Sequence, residues 1–210
     1  MLNDYPCQDT QMTALHELRH QRLLNMIKST GVEQVLDLGC GSGSFIWYLL
    51  QEPRFSEVVG LESSEISLMQ ARQKLADYLV VQPARTRLIC GSYSENQPSL
   101  VDFAMAVMIE TIEHNPLRDL SKIEQNVFSQ LKPRQLIMTT PNADYNPIYG
   151  LSAGQYRDPD HKFEWGRAKF RQWAGGIARR HGYKLSFSGI GEPDPELGHP
   201  TQLAWFVRHD

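Results

Sequence analysis

Along the 210 residues, short unbroken apolar runs alternate with longer stretches in which apolar residues return every three or four positions. From about Gln11 to Ser29, Leu15, Leu18, Leu23, Met26 and Ile27 form an imperfect stripe that ends before Gly31, which predicts a helix. Gln34 to Leu38 then reads as a buried strand, 39–43 as a tight glycine loop and Ser44 to Leu50 as the helix behind it. "SEVVGLE" makes a second strand ending at Glu62, and a helix follows from about Ser64, whose hydroxyl is placed to cap it, to Leu79. "RTRLIC" is a third strand closing at Gly91, and "VDFAMAVMI" a fourth, the continuous apolar kind expected of a parallel strand covered on both faces. A helix from about Leu117 to Leu131 leads to "QLIMTT", a fifth strand stopped by Pro141. This alternation predicts an α/β fold, a doubly wound parallel sheet with helices on both faces.

After Pro141 the periodicity lapses for about two dozen residues, "NADYNPIYGLSAGQYRDPDHKFEW", a length of loop that is usually functional. A helix from about Arg167 to His181 carries Phe170, Trp173 and Ile177 at spacings of three and four. "YKLSFSGI" and "TQLAWFV" close the chain as a hairpin across "GEPDPELGHP", bringing the sheet to seven mostly parallel strands. The length suits one domain, with residues 1–30 a helical segment of the same body as 31–210.

Hydrophobic residues at 41% and charged residues at 21%, with no repeats or low-complexity blocks, describe an ordinary globular protein. The longest apolar run, Phe103 to Ile109, is far short of the roughly 20 residues of a membrane span, and the N-terminus lacks a signal-peptide core, so no membrane partner and a cytoplasmic location are expected. Cys7, Cys40 and Cys90 contain no C-x-x-C pair and read as reduced, Cys40 and Cys90 mainly filling space. A net charge of -3 argues against indiscriminate polyanion binding, yet Arg157 to Lys184 holds eight basic residues against three acids, an excess that suits a phosphate backbone or a solvated helix face.

Ligands of open α/β sheets bind beyond the carboxyl ends of the strands. On that edge fall the loop "GCGSG" after strand one, Glu62 after strand two, Gly91 and Ser92 after strand three, Glu110 after strand four and Thr140 to Asn142 after strand five. Glycines let the backbone approach a ligand closely, and a carboxylate about twenty residues on can accept both hydroxyls of a ribose. Such a site takes a dinucleotide or S-adenosylmethionine. A dinucleotide fingerprint wants a third glycine where this chain has Ser44. "VLDLGCGSG", with Asp37 ahead of the first glycine, resembles motif I of the Rossmann-like class I S-adenosylmethionine-dependent methyltransferases. That resemblance assigns Asp37, Gly39, Cys40, Gly41, Ser42, Glu62, Ser63, Gly91, Ser92 and Ile109 to the cofactor.

In "VMIETIEHNP", Glu110, Glu113 and His114 stand at i, i+3 and i+4, so on one helical turn they share a face. Two close carboxylates repel unless a proton or cation intervenes, and the position at the sheet's active edge favours a metal. A further ligand must come from elsewhere, and the long loop offers His161.

"ETIEHNP", "TTPNADYNP", "RDPDHKFEWGRAKFRQWA" and "TQLAWF", in this order, are similar to the small-RNA 3′-terminal ribose 2′-O-methyltransferases of plant microRNA, animal piRNA and bacterial RNA-repair pathways. The likeness runs from about Arg19 to Arg208 and implies that residues 31–210 are the methyltransferase catalytic domain of a monomer acting on the 3′ end of a small or cleaved RNA. It implies a divalent metal, Mn²⁺ preferred and Mg²⁺ possible, on Glu110, Glu113, His114 and His161. The mixed oxygen and nitrogen donor set agrees with that choice. In the family the ion grips both hydroxyls of the last ribose; the proton leaving the 2′-hydroxyl can go to a loosely ligated His114 or to water. Arg157 and Asn142 are expected at the RNA end. Glu62 stands where aspartate is commoner and Gly166 where threonine is usual. A small-molecule O-methyltransferase and a non-catalytic RNA-end binding module remain as alternatives.

Overall fold

A computed structural model describes residues 8–209; Cys7 lies outside them. Helix α1 spans Gln8–Thr30 and leads into strand β1 (Gln34–Leu38) and helix α2 (Ser44–Leu50). Strand β2 (Glu57–Glu62), helices α3 (Glu65–Lys74) and α4 (Ala76–Leu79) and strand β3 (Thr86–Cys90) follow. Strand β4 (Met105–Ile109), helix α5 (Leu120–Glu124) and strand β5 (Gln135–Pro141) complete the next unit. Helix α6 (Arg167–His181) and strands β6 (Tyr183–Ile190) and β7 (Thr201–Arg208) end the fold.

The seven strands form one sheet in the order β3-β2-β1-β4-β5-β7-β6. All neighbouring pairs from β3 to β5 are parallel, whereas β7 runs antiparallel to both β5 and β6. Strand order reverses between β1 and β4, so the carboxyl ends of those two strands face one crevice. Successive side chains of a strand point to opposite faces. Val35, Met105 and Val107 therefore pack with Leu23 and Ile27 of α1 and Phe45, Ile46 and Leu49 of α2. Leu36, Leu38, Ala106 and Met108 pack on the other face with Phe128, Phe170 and Phe206. Each fully buried side chain of this size contributes roughly 1.5–3 kcal/mol, so the two-sided core dominates the fold's stability. Among the described residues no helix is long and apolar enough to cross a membrane.

Local chemistry moves several element boundaries from those the sequence predicts. Ser64 does cap α3, its hydroxyl accepting from the Ser67 N–H at 3.2 Å, but the helix breaks at Leu75 into α3 and α4. Strand β4 starts only at Met105, because Asp102 takes a left-handed φ of 60° and its carboxylate is paired with Arg208 and Arg134. The stretch expected as one helix to Leu131 is a 3₁₀ turn, then α5, then a π-helical segment at Gln125–Leu131. Within that segment the Asn126 amide donates to the carbonyls of Tyr93 and Glu95, tying it to the loop after β3. Cys40 is buried as expected, whereas Cys90 is exposed and fills no core space, because it closes the edge strand β3.

The long segment after β5 is built rather than loose: it opens with a 3₁₀ turn at Ala143–Tyr149 and closes with Trp165 bridged to Asn142. Gly166 is the N-cap of α6 and has no side chain to cap with, so Asp144 supplies the function, its Oδ2 accepting from the Arg167 N–H and Nε, both at 3.0 Å. A Cβ at Gly166 would meet Asp144 Oδ1 at 2.1 Å, so the threonine usual at this position would displace the carboxylate that caps the helix here. Replacing Asp144 by Ala should cost about 1–2 kcal/mol, the upper part of the range for a lost cap. Urea denaturation measures it, and an unchanged midpoint would refute the cap.

Candidate active site

At the end of β1 the chain must turn sharply to enter α2. Gly39 does so with φ +83°, where a Cβ would also lie 2.4 Å from Thr111 Oγ1, so no larger residue fits. Gly41, at φ +53°, meets nothing within 4 Å and leaves its face open to a ligand. The turn is anchored by Gly39 and Cys40 N–H groups donating to the Leu61 carbonyl, and by the Gly41 N–H donating to Glu62 Oε2 at 2.8 Å. Glu62 Oε1 accepts from the Ser64 N–H and, more weakly, from the Ser63 hydroxyl. Glu62 and Cys90 are register partners on β2 and β3, so Gly91 and Ser92 lie one step beyond it, with Ser92 in a hydroxyl turn to Ser94.

A cleft of about 290 Å³ opens over this turn. Asp37, Gly39, Cys40, Gly41, Ser42 and Ile109 line it, joined by His16, Arg19 and His20 of α1, which sequence reasoning missed. The missed signal lies in the α1 stripe: Leu18 is 47% exposed, while Arg19 and His20 take the buried face between Leu15 and Leu23. Desolvation, then the charges of His16 and Arg19, lower the His20 pKa to about 3, so it is a neutral wall. Burial, then the negative Glu62, push the Asp37 carboxyl up to about 7.

The second half of the site begins where β4 ends. Glu110 adopts a left-handed φ of 48°, unusual for a residue with a side chain, and its N–H is held by the Thr139 carbonyl and hydroxyl. A 3₁₀ turn, Ile112–His114, follows and is pinned by Asn115, whose amide donates to Tyr93 Oη and to the Thr111 and Ile112 carbonyls. The Lys162 N–H donates to the Glu113 carbonyl at 2.8 Å, fastening the long segment to this turn. As a result Glu113, His114 and His161 each offer one ligand atom within 4.8 Å of one another. The fourth residue expected there, Glu110, stands outside that group, its Oε2 3.1 Å from an Arg19 guanidinium nitrogen.

Each of three of the four predicted ligands has one polar atom held by a neighbour and the other uncommitted. Glu113 Oε2 accepts from the Thr140 hydroxyl at 2.9 Å, Glu110 Oε2 from Arg19, and His161 Nδ1 pairs with Glu164 Oε1 at 2.6 Å. Glu110 Oε1 and Glu113 Oε1 are buried with no hydrogen-bond partner. Burial first, and the charge of Glu110 second, push the Glu113 carboxyl well above the usual range. A cation would relieve the orphaned oxygens and the repulsion, and a carboxylate with two imidazoles, beside a second carboxylate with one oxygen uncommitted, suits a divalent metal, so the residues fit the group. Glu164 is a residue that sequence reasoning overlooked. Burial raises its pKa, but hydrogen bonds from His161, Asn146 and the Arg157 N–H outweigh that and hold it ionised. Its spacing from His161, three residues in "HKFE", was the available signal.

One expectation is corrected and one gains a second role. Asn142 is fully buried: its amide donates to the Leu197 and His199 carbonyls and its Oδ1 accepts from the Asp144 N–H, so it forms a turn and cannot touch RNA. Half-buried Arg157 donates from its guanidinium to Asn146 Oδ1 and to the Pro200 and Asn142 carbonyls and lies over the Tyr149 ring, so it staples the loop while each terminal nitrogen keeps a second N–H. An arginine among carbonyls is as well suited to that task as to a phosphate, and sequence does not separate the two.

This strand order, glycine turn and acidic β2 end define an S-adenosylmethionine-dependent, Rossmann-like methyltransferase. A family model described as "Methyltransferase domain" matches residues 36–135. The crystal structure of the methyltransferase domain of a bacterial Hen1 protein, CtHen1-C, superposes with a TM-score of 0.84 at 33% identity, over 93% of this chain and 100% of that one. That of small RNA methyltransferase HEN1 gives 0.87 at 30%, over 100% of this chain and 27% of that one. The small RNA 2′-O-methyltransferase of Gallus gallus is 31% identical over 206 residues, 92% of this chain and 54% of its own length. The chain belongs to the Hen1-type small-RNA methyltransferase family. It spans about half the length of the curated animal relatives it matches.

Asp37 yields a pH test. Folding keeps its proton on between the unfolded value of 3.8 and about 7, so its contribution to stability falls as pH rises through that window. Asp37→Asn, which has no proton to lose, should gain on wild type by roughly 2–3 kcal/mol between pH 5 and pH 8. Denaturant melts at the two pH values decide it, and parallel curves would refute the raised carboxyl.

Proposed function

We propose that the chain transfers a methyl group from S-adenosylmethionine to the ribose 2′-hydroxyl at a free RNA 3′ end. The observation that carries this reading is the trio of ligand atoms from Glu113, His114 and His161, within 4.8 Å, on the same sheet edge as the cofactor cleft. Relatives bearing small RNA 2′-O-methyltransferase names over nine-tenths of the chain supply the substrate class.

In this reading the glycine turn and Asp37 receive the cofactor's methionine end, and Glu62, Ser63, Gly91 and Ser92 its nucleoside end. An ionised Asp37 attracts the cofactor's ammonium group. Glu113, His114 and His161, with Glu110 through its uncommitted Oε1, hold a divalent cation, Mn²⁺ before Mg²⁺. Such an ion supplies Lewis acidity, which lowers the pKa of a hydroxyl as it lowers that of water from about 16 to about 7. Thr140 and Glu164 fix Glu113 and His161, so that the donors need little reorganisation. His114 opens to solvent, and desolvation followed by the nearby His161 lowers its pKa, leaving its imidazole neutral at pH 7 with a lone pair for a ligand or a proton. The chemistry then needs mainly alignment of sulfonium and oxygen.

A groove of about 490 Å³ supports an RNA acceptor. Its wall carries Arg22, Arg167 and Arg171, and it includes Thr201, whose hydroxyl accepts from Arg19 on the metal side. Much of the basic excess seen in the sequence is neutralised internally: Arg180 and His181 pair with Glu124, and Arg167 with Asp144. Arg22 and Arg171 carry no ion pair among the described residues and suit phosphates at this mouth. A role in RNA repair or small-RNA protection follows from that substrate.

Incubation of a short RNA with S-adenosylmethionine and Mn²⁺, followed by periodate, tests the reading. Wild type should leave the RNA resistant to cleavage, chelation should abolish protection, and Glu113→Gln should lower the rate by about 10²-fold or more. RNA cleaved fully by periodate at every metal tried would refute it.

A further inference from the structure

Arg19 is an arginine driven against the carboxylates of the candidate metal site. It comes from α1, a helix remote in sequence from every ligand, and is 6% exposed. Its terminal nitrogen lies 3.1 Å from Glu110 Oε2 and donates to Thr201 Oγ1 at 3.2 Å, while its Nε is buried with no partner at all. A guanidinium with an orphaned N–H is poorly served as a purely structural group, because its desolvation is only partly offset. What it does offer is charge. Glu110, half-buried, is held on a left-handed backbone beside fully buried Glu113, and without a positive group the two carboxylates would oppose one another.

We propose that Arg19 is a built-in counter-cation of the metal site: it neutralises Glu110 so that the carboxylate pair folds into place without an ion, and it thereby weakens the hold on the ion that later joins it. Arg19 is thus a positioning residue acting through Glu110, and α1, which also walls the cofactor cleft with His16 and His20, sets the metal concentration at which the site fills. The inference rests on the metal reading above, since a cation of the protein can weaken only a cation that binds.

Binding of Mn²⁺ alone, by titration calorimetry or by the loss of free Mn²⁺ signal in electron paramagnetic resonance, gives the readout. Arg19→Gln retains a donor for Glu110 but not the charge. It should melt at a lower temperature than wild type without metal, bind Mn²⁺ about tenfold more tightly, and show the larger metal-induced rise in melting temperature. Arg19→Lys restores the charge and should return the Mn²⁺ affinity to within about threefold of wild type. A merely structural arginine predicts the opposite sign, weaker or unchanged affinity in Arg19→Gln, and that result overturns the inference while leaving the metal reading intact. Wild type that takes up no Mn²⁺ overturns both. Should Arg19→Gln fail to fold, the Thr201→Val variant, which removes the arginine's other anchor, keeps the question open to measurement: the guanidinium then rests on Glu110 alone and Mn²⁺ should bind more weakly than in wild type, whereas tighter binding would overturn the idea.

Discussion

Two carboxylates at the end of one buried strand are the constraint around which the rest of the molecule is arranged. Glu110 and Glu113 each have one oxygen buried without a partner, a state a protein core tolerates only where something is to bind or where a neighbour compensates. Two neighbours answer the carboxylates directly, Thr140 from β5 on Glu113 and Arg19 from α1 on Glu110, while Thr139 and the Lys162 N–H hold the backbone that carries them. Removing Arg19 would leave like charges facing each other without a counter-charge. The tertiary structure is therefore most tightly knit where it is electrostatically least comfortable.

The segment after β5 is the clearest case of structure made for that purpose. Glu164 accepts from His161, Asn146 and the Arg157 N–H at once, and the Arg157 side chain returns to Asn146 and to two carbonyls. These bonds form a polar frame whose single outward product is the orientation of one imidazole. Asn142 closes the frame against the β6–β7 hairpin through the Leu197 and His199 carbonyls. Asn142 and Arg157, which read as RNA contacts, thus also support a ligand, a role the sequence does not announce.

Helix α1 joins the two halves of the site. Its buried face is not a plain apolar stripe, for Arg19 and His20 sit between Leu15 and Leu23, and from that face it meets both the glycine turn and Glu110. A change on this helix is felt by the cofactor cleft and by the carboxylate pair together.

Strand runs, the glycine turn, the acidic β2 end, the Ser64 cap and the final hairpin were legible along the chain, because each depends on near neighbours: a period of two, a left-handed turn only glycine accepts, a hydroxyl three residues from its donor. Glu113 and His114 were legible for the same reason, lying on one short turn, and His161 through the motif around it. Contacts between segments distant along the chain were not. That Arg19 would reach Thr201 and pair with Glu110, and that Arg157 would bond the Pro200 carbonyl, were decided only when α1, the long segment and β7 packed against one edge. Sequence alone fixes which groups are charged; burial and the partners that folding brings decide what each charge must do.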